Sequence, residues 1–284
     1  MATRVTDLLF AGLDSTRYEP TPRRLRAELA GKTVLDSTAG MLVWEPGRLV
    51  PQYAVPLDDI TADLVEAGPD EGNRSGPGLV PFSRGGPQML TPATGFGVHS
   101  TAGTPLTVRT GDAERPGAAF RPADPDLAHL AILDFAAFDA WREEEEQVVS
   151  HPRDPFHRVD VRRSSRHVRV ELDGHVLAES TRPSMVFETG LPVRHYLPPE
   201  DVDTSVLEPT ATVTACAYKG IAAYRSVVLP ERTVPDLVWT YADPLPDAVQ
   251  ITGLLCFFEE RVDMIVDGVR HERPTSPWSA NRQS

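Results

Sequence analysis

Residues 174–201 read GHVLAESTRPSMVFETGLPVRHYLPPED, and residues 31–58 read GKTVLDSTAGMLVWEPGRLVPQYAVPLD. Laid over one another at an offset of 143 without a gap, they agree at ten of 28 positions. The identities include Gly31/Gly174, Ser37/Ser180, Val43/Val186, Glu45/Glu188, Tyr53/Tyr196, Pro56/Pro199 and Asp58/Asp201. Unrelated stretches would agree at about two, because an average residue type occurs at roughly 6%. One unit is therefore present twice, and a repeat of this length sets the architecture before any element is assigned. A chain of 284 residues has room for two such domains.

A second anchor, Ala123-Asp124-Pro125 against Ala242-Asp243-Pro244, lies at an offset of 119, so the first copy holds 24 extra residues. The Gly- and Pro-rich stretch near 68–89 accommodates them as a surface loop, since closure entropy grows slowly with loop length. The expected division is a degenerate first copy over 1–149, a linker over 150–166, a complete second copy over 167–272 and a tail over 273–284.

Within this frame the first twenty residues read as an irregular lead-in. Thr21-Pro22 to Gly31 carries the start and stop signals of a short helix, and Asp139 to Val149, with four consecutive glutamates, reads as a second. Elsewhere short apolar runs recur at strand spacing. Val168, Val170 and Leu172 alternate with Arg169 and Glu171 and end in an Asp173-Gly174 turn. The expected fold is mainly β: two tandem domains of short antiparallel strands with a few short helices.

Composition narrows the classes. Hydrophobic content of 40% and charged content of 24% suit a protein with a packed core. A net charge of −13 repels a phosphate backbone, so nucleic acid is not expected as a partner. Arg162, Arg163, Arg166 and Arg169 read as a solvated strand edge. Two cysteines, Cys216 and Cys256, build no disulfide scaffold. There is no signal-peptide core, and no apolar run approaches the ~18 residues of a membrane span. The expectation is a soluble, cytoplasmic protein without membrane partners or cofactors, its oligomeric state open.

Several stretches of the second half resemble the family called domain of unknown function 427: Glu188-Thr-Gly-Leu-Pro-Val-Arg-His-Tyr-Leu-Pro, Cys216-Ala-Tyr-Lys-Gly, Trp239-Thr-Tyr-Ala-Asp-Pro and Val262-Asp-Met-Ile-Val-Asp-Gly. His151-Pro-Arg-Asp-Pro-Phe is similar to the segment between tandem copies. The resemblance implies a β-tent-like fold, two small sheets meeting along an edge with a pocket between them. It carries a nucleotidyltransferase label but no agreed activity. Ala217 departs from the family pattern, which has Pro there. The first copy, around 93–108, lacks a Tyr-Lys-Gly turn.

The candidate ligand-binding set is Glu188, Arg194, Tyr196, Tyr218, Lys219, Tyr224, Trp239 and Tyr241. Aromatic walls with a few convergent charges suit a small-molecule pocket. Arg194 and Lys219 would anchor an anionic group, Glu188 would orient Arg194, and the aromatics would wall the site. The competing reading is a small core in which Glu188 pairs with Arg194 or Lys219. The first copy has Pro51 at the position of Arg194 yet keeps Glu45 and Tyr53. That difference assigns the Glu and Tyr to scaffold and Arg194 and Lys219 to function.

Other chemistry is weaker. Cys216 and Tyr218 should share a strand face with Lys219 on the other, unless the chain turns at Gly220. Cys216 then reads as a small buried hydrophobe or as a thiolate activated by Lys219. His151 and His157 lack a third metal ligand. Asp201-Val202-Asp203 has a metal-binding spacing, but Leu191 follows Gly190 where a phosphate loop needs Ser, and turn capping explains Asp201 better. No Gly-x-Ser-x-Gly elbow or Walker motif occurs. No catalytic residue is assigned. The favoured function is small-molecule binding in the second domain; the alternatives are a nucleotidyltransferase-like enzyme acting on a nucleotide or acyl substrate, with Lys219 or Cys216 reactive, and an interaction scaffold without a site.

Overall fold

The computed structural model describes residues 2–68, 70–76, 78–81, 87–276 and 279. Parts of the expected insertion (69, 77 and 82–86) and of the tail (277, 278 and 280–284) lie outside the described residues. The chain divides into two compact units, Met1–Asp154 and Pro155–Ser284.

Both units are antiparallel β structures of one design. From edge to edge, the seven-stranded sheet of the first runs Arg17–Pro20, Met41–Trp44, Gln52–Pro56, Leu130–Leu133, Ala113–Pro122, Gly103–Thr110 and Asp63–Glu66. That of the second runs Val159–Arg163, Ser184–Glu188, Arg194–Leu197, Leu255–Phe257, Thr233–Thr240, Gly220–Val228 and Leu207–Cys216. A four-stranded sheet accompanies each: Lys32–Ser37, Leu25–Leu29, Ala140–Glu143 and Glu146–Gln147 in the first, and His175–Ser180, Val168–Leu172, Asp263–Val266 and Val269–Arg270 in the second. The order of strands along the chain is the same in both.

Period-two alternation builds these sheets. Val168, Val170 and Leu172 are buried while Arg169 and Glu171 point outward. The side chains facing the smaller sheet form an inter-sheet core in each unit, around Leu25, Leu35 and Trp141 in the first and around Val170, Val238, Phe257 and Met264 in the second. A second apolar layer lies on the outer face of each large sheet. Asp173-Gly174 closes its hairpin with both residues at positive φ, the geometry of a type I′ turn.

Both expected helices are strands. Leu25, Ala27 and Leu29 are fully buried with Arg26 and Glu28 between them. This alternation outweighs the Pro and Gly signals, and Gly31 belongs to a hairpin turn with Ala30, both at positive φ. The glutamate run is likewise a hairpin: Ala140–Glu143 turns through Glu144, at φ 50°, into Glu146–Gln147. Trp141, 1% exposed and opposite Ala27, anchors it in the core. The described helix is Val5–Phe10, inside the stretch read as irregular. The 150–166 linker carries an edge strand, Val159–Arg163, paired with Ser184–Glu188.

The repeat needs a one-residue gap that the ungapped alignment lacks. Val186 lies opposite Arg194, but Val43 lies opposite Gln52, not Pro51. Beyond this point the offset is 142: the 3-10 turn Leu57–Asp59 answers Pro199–Asp201, and Ser37 bonds Asp59 as Ser180 bonds Asp201. A one-residue slip moves a side chain to the opposite face. Tyr53 therefore enters the inter-sheet core, 5.0 Å from the Trp141 ring and donating to Glu143 at 2.7 Å. Tyr196 lies on the outer face, where the first unit has Ala54. Tyr53 and Tyr196 are identical in sequence and not equivalent in space.

Replacing Trp141 by Ala should lower the stability of the first unit by about 3–5 kcal/mol, read from the urea midpoint. Val213→Ala, on an exposed edge strand, should change the second by no more than about 0.5 kcal/mol.

Candidate functional site

In the second unit the register lays one row of side chains across the outer face of the large sheet. Ser184 is opposite Tyr196, Tyr196 opposite Cys256, Cys256 opposite Trp239, and Trp239 opposite Tyr224. Opposed residues point to one face, and residues two apart along a strand share it. Glu188, Arg194 and Tyr241 thus join the row. The first unit has the apolar row Met41, Ala54, Ile132, Phe120 and Pro105 in its place.

The eight expected site residues converge on this face but separate into two groups. Arg194, Tyr196 and Trp239 are packed solid. The Arg194 guanidinium grips Glu260 in a fork, Nη1 to Oε2 at 2.8 Å and Nη2 to Oε1 at 2.5 Å, and lies 5.7 Å from the centroid of the Trp239 ring. Trp239 Nε1 donates to the Tyr196 hydroxyl at 2.9 Å, ring edge to ring face. Burial pulls the Arg194 pKa down, but Glu260 more than restores it. Glu188 therefore does not orient Arg194; Glu260 does, and Ser276 Oγ donates to the same carboxylate. Beneath this layer the Cys256 thiol is fully buried and pushed well above its ordinary pKa.

The second group is Glu188, Lys219, Tyr218 and Tyr241, with Tyr224 at its margin. Lys219 Nζ donates to Glu188 Oε2. His157 Nε2 lies 3.0 Å from Glu188 Oε1, and its ring stacks on Tyr218 at 4.4 Å. The Glu188 and Lys219 side chains are only 9% and 11% exposed. Burial alone would raise the Glu188 pKa; the charge of Lys219 and hydrogen bonds from His157 and Lys219 bring it down to about 2. Burial likewise works against the ammonium, and Glu188 outweighs it, holding Lys219 above its usual value.

The chain does turn at Gly220. Its φ of +97° is one that L side chains rarely adopt, and a Cβ there would crowd the Leu245 nitrogen at 3.3 Å. The turn brings Lys219 back toward the face that carries Glu188. Tyr224 shares a hydrogen bond with Thr214 at 2.9 Å. The Tyr241 hydroxyl has no hydrogen-bond partner among the described residues, although the residue is 4% exposed. Burial raises its pKa, and Cys216 and Glu188 add to the shift.

Glu45 of the first unit shows the same burial with other partners. It is fully buried and accepts from the Ser100 amide at 3.1 Å and the Thr101 hydroxyl at 3.0 Å. His99 Nδ1 lies 3.1 Å from it and Arg48 Nη2 3.4 Å. Each copy thus neutralises a buried glutamate at the end of the same strand with one fixed cation and one histidine.

Sequence reasoning missed His157 and Glu260. They reach their partners across 31 and 66 residues, with no local spacing to reveal either. The Asp-x-Asp acids do not converge: Asp201 accepts from Ser180 and Arg182, while Asp203 caps the Ser205 amide. No group of three or more metal-ligating side chains occurs among the described residues. No helix among them is long and apolar enough to cross a membrane.

The family described as Domain of unknown function (DUF427) matches residues 17–73 and 160–268, one segment in each unit. Together they cover more than half of the chain, and the chain belongs to that family. No curated protein matches it.

Breaking the buried pair from either side should be costly. Glu188→Gln and Lys219→Met are each expected to destabilise the second unit by about 3–5 kcal/mol in urea unfolding. The double variant should lose clearly less than the sum, the difference being the coupling between the two groups.

Proposed function

We propose that the second unit binds a small polar molecule over the Glu188–Lys219 pair, with Tyr218 and Tyr224 as walls and the Tyr241 hydroxyl as a recognition group. The observation that carries this is the Tyr241 hydroxyl, attached to a buried ring and without a protein partner beside an ionised pair. The ring is buried but its hydroxyl is not among the inaccessible unpartnered atoms, so it is open to a ligand and held in a fixed position to meet one. The ammonium adds to this, since a lysine has three donors and Glu188 takes one.

Arg194 does not anchor the ligand, because Glu260 occupies its fork. One lysine already neutralised by a carboxylate favours a neutral or singly charged molecule over a triphosphate. The dispersal of Asp201 and Asp203 into local turns gives the nucleotidyltransferase reading no metal-binding pair to work with. Binding is the reading this site supports best, and family membership brings no reaction to it.

Thermal denaturation of the full chain against panels of small hydroxylated compounds, monocarboxylates and nucleotides tests it. A compound that stabilises the wild type should bind Tyr241→Phe roughly tenfold more weakly, while Thr212→Val, elsewhere in the unit, binds normally. Equal binding by Tyr241→Phe and wild type, or no stabilisation by any compound, would remove the proposal.

A further inference from the structure

A second feature of the same unit lies on the opposite face of the large sheet and owes nothing to the Glu188 cluster. Arg225 is opposite Val238, and Thr240 is opposite Ala223 and Leu255. Val238 and Leu255 belong to the inter-sheet core, so Arg225 and Thr240 face the same way as that core. Where the strands end, a cavity of about 340 Å³ opens, lined by Arg225, Thr240, Leu255, Ala242, Gly253 and Pro199. That volume falls in the lower range of small-molecule sites.

Two of its polar groups have no partner. Arg225 is half-buried and makes no hydrogen bond or ion pair among the described residues. This stands out in a chain with 41 acidic residues against 28 basic ones, where most arginines do find a carboxylate. Thr240 Oγ1 is inaccessible and equally without a hydrogen bond. A guanidinium presents a planar fork that matches carboxylate and phosphate oxygens. Arg225 thus supplies the polar end of the cavity, and Leu255, Ala242 and Pro199 supply an apolar one.

The first unit has a cavity at the matching strand ends, about 460 Å³, lined by Gly103, Thr104, Arg121, Ala123 and Ala128. It too contains one arginine, supplied by the strand that carries Thr240 in the second unit. There, however, Arg121 Nη2 lies 3.8 Å from Glu66, so the charge is already answered. The opening is thus common to both copies, and in the second the arginine lacks a counter-charge.

We propose that this cavity is a binding site for a small organic anion, whose carboxylate or phosphate meets Arg225 and whose apolar part rests on Leu255 and Pro199. It is independent of the site over Glu188 and Lys219, and either can exist without the other.

Calorimetric titration of the full chain with butyrate and with inorganic phosphate, at constant ionic strength, tests this and distinguishes the two kinds of anion. Saturable binding of one anion per chain is expected for at least one probe. Arg225→Gln should weaken it about tenfold or more, and Arg225→Lys, which keeps the charge but loses the fork, severalfold. Arg121→Gln should bind like wild type. Arg225 forms no bond that the folded chain would lose, and Arg225→Lys keeps the charge, so the two variants check one another. The proposal is overturned if neither probe binds saturably, or if Arg225→Gln binds as tightly as wild type.

Discussion

A carboxylate held out of water needs a fixed counter-charge, and each unit of this protein contains one at the end of the same strand. Glu188 is held by Lys219 and His157, Glu45 by Arg48, His99 and two hydrogen-bonding neighbours. Each arrangement ties together segments far apart along the chain. His157 precedes the edge strand, Lys219 sits before Gly220, and Glu188 ends the second strand of the sheet. Removing Lys219 or Arg48 takes the fixed counter-charge from a buried carboxylate, so the outer face of each sheet is organised around this point.

The two faces of the large sheets have diverged unequally. The face toward the smaller sheet keeps its apolar filling in both copies. The outer face carries Tyr196, Cys256, Trp239 and Tyr224 in the second unit and Ala54, Ile132, Phe120 and Pro105 in the first. These are substitutions at matching register positions, and a single added residue between Glu45 and Gln52 accounts for the tyrosine pair alone. It turns Tyr53 into a core residue bonded to Glu143, while Tyr196 stays outside against Trp239. The outer rows of the two units thus occupy matching positions and carry different side chains.

The duplication and the mainly β class were legible because period-two alternation and residue identity are local signals. The hairpin at Asp173-Gly174 followed from residue types alone. Where two local signals competed, as in Leu25–Leu29 and Ala140–Glu143, helix caps and a glutamate run hid an alternation that burial of Leu25, Ala27 and Trp141 enforces. The eight candidate residues were legible as a polar and aromatic set; their partners and their separation into two groups were not. Glu260 lies 66 residues from Arg194 and His157 31 residues from Glu188, and only tertiary pairing joins them. The one-residue gap was invisible for a related reason: Tyr53/Tyr196 and Asp58/Asp201 agree by position in the ungapped alignment, while strand register places Ala54 and Asp59 there instead.

The central claim is that Glu188 stays ionised inside the protein because Lys219 and His157 hold it. A carboxyl carbon-13 NMR titration of glutamate-labelled protein measures this directly. The account predicts a midpoint of about 2 for Glu188, against 4.5 for an ordinary glutamate, and a rise when Lys219 is replaced by Met. The sign follows from linkage: a depressed folded-state pKa gives stability that is present above 4.5 and lost as the pH falls through about 2. A midpoint at or above 4.5 in the wild type, or one unmoved by Lys219→Met, would contradict it.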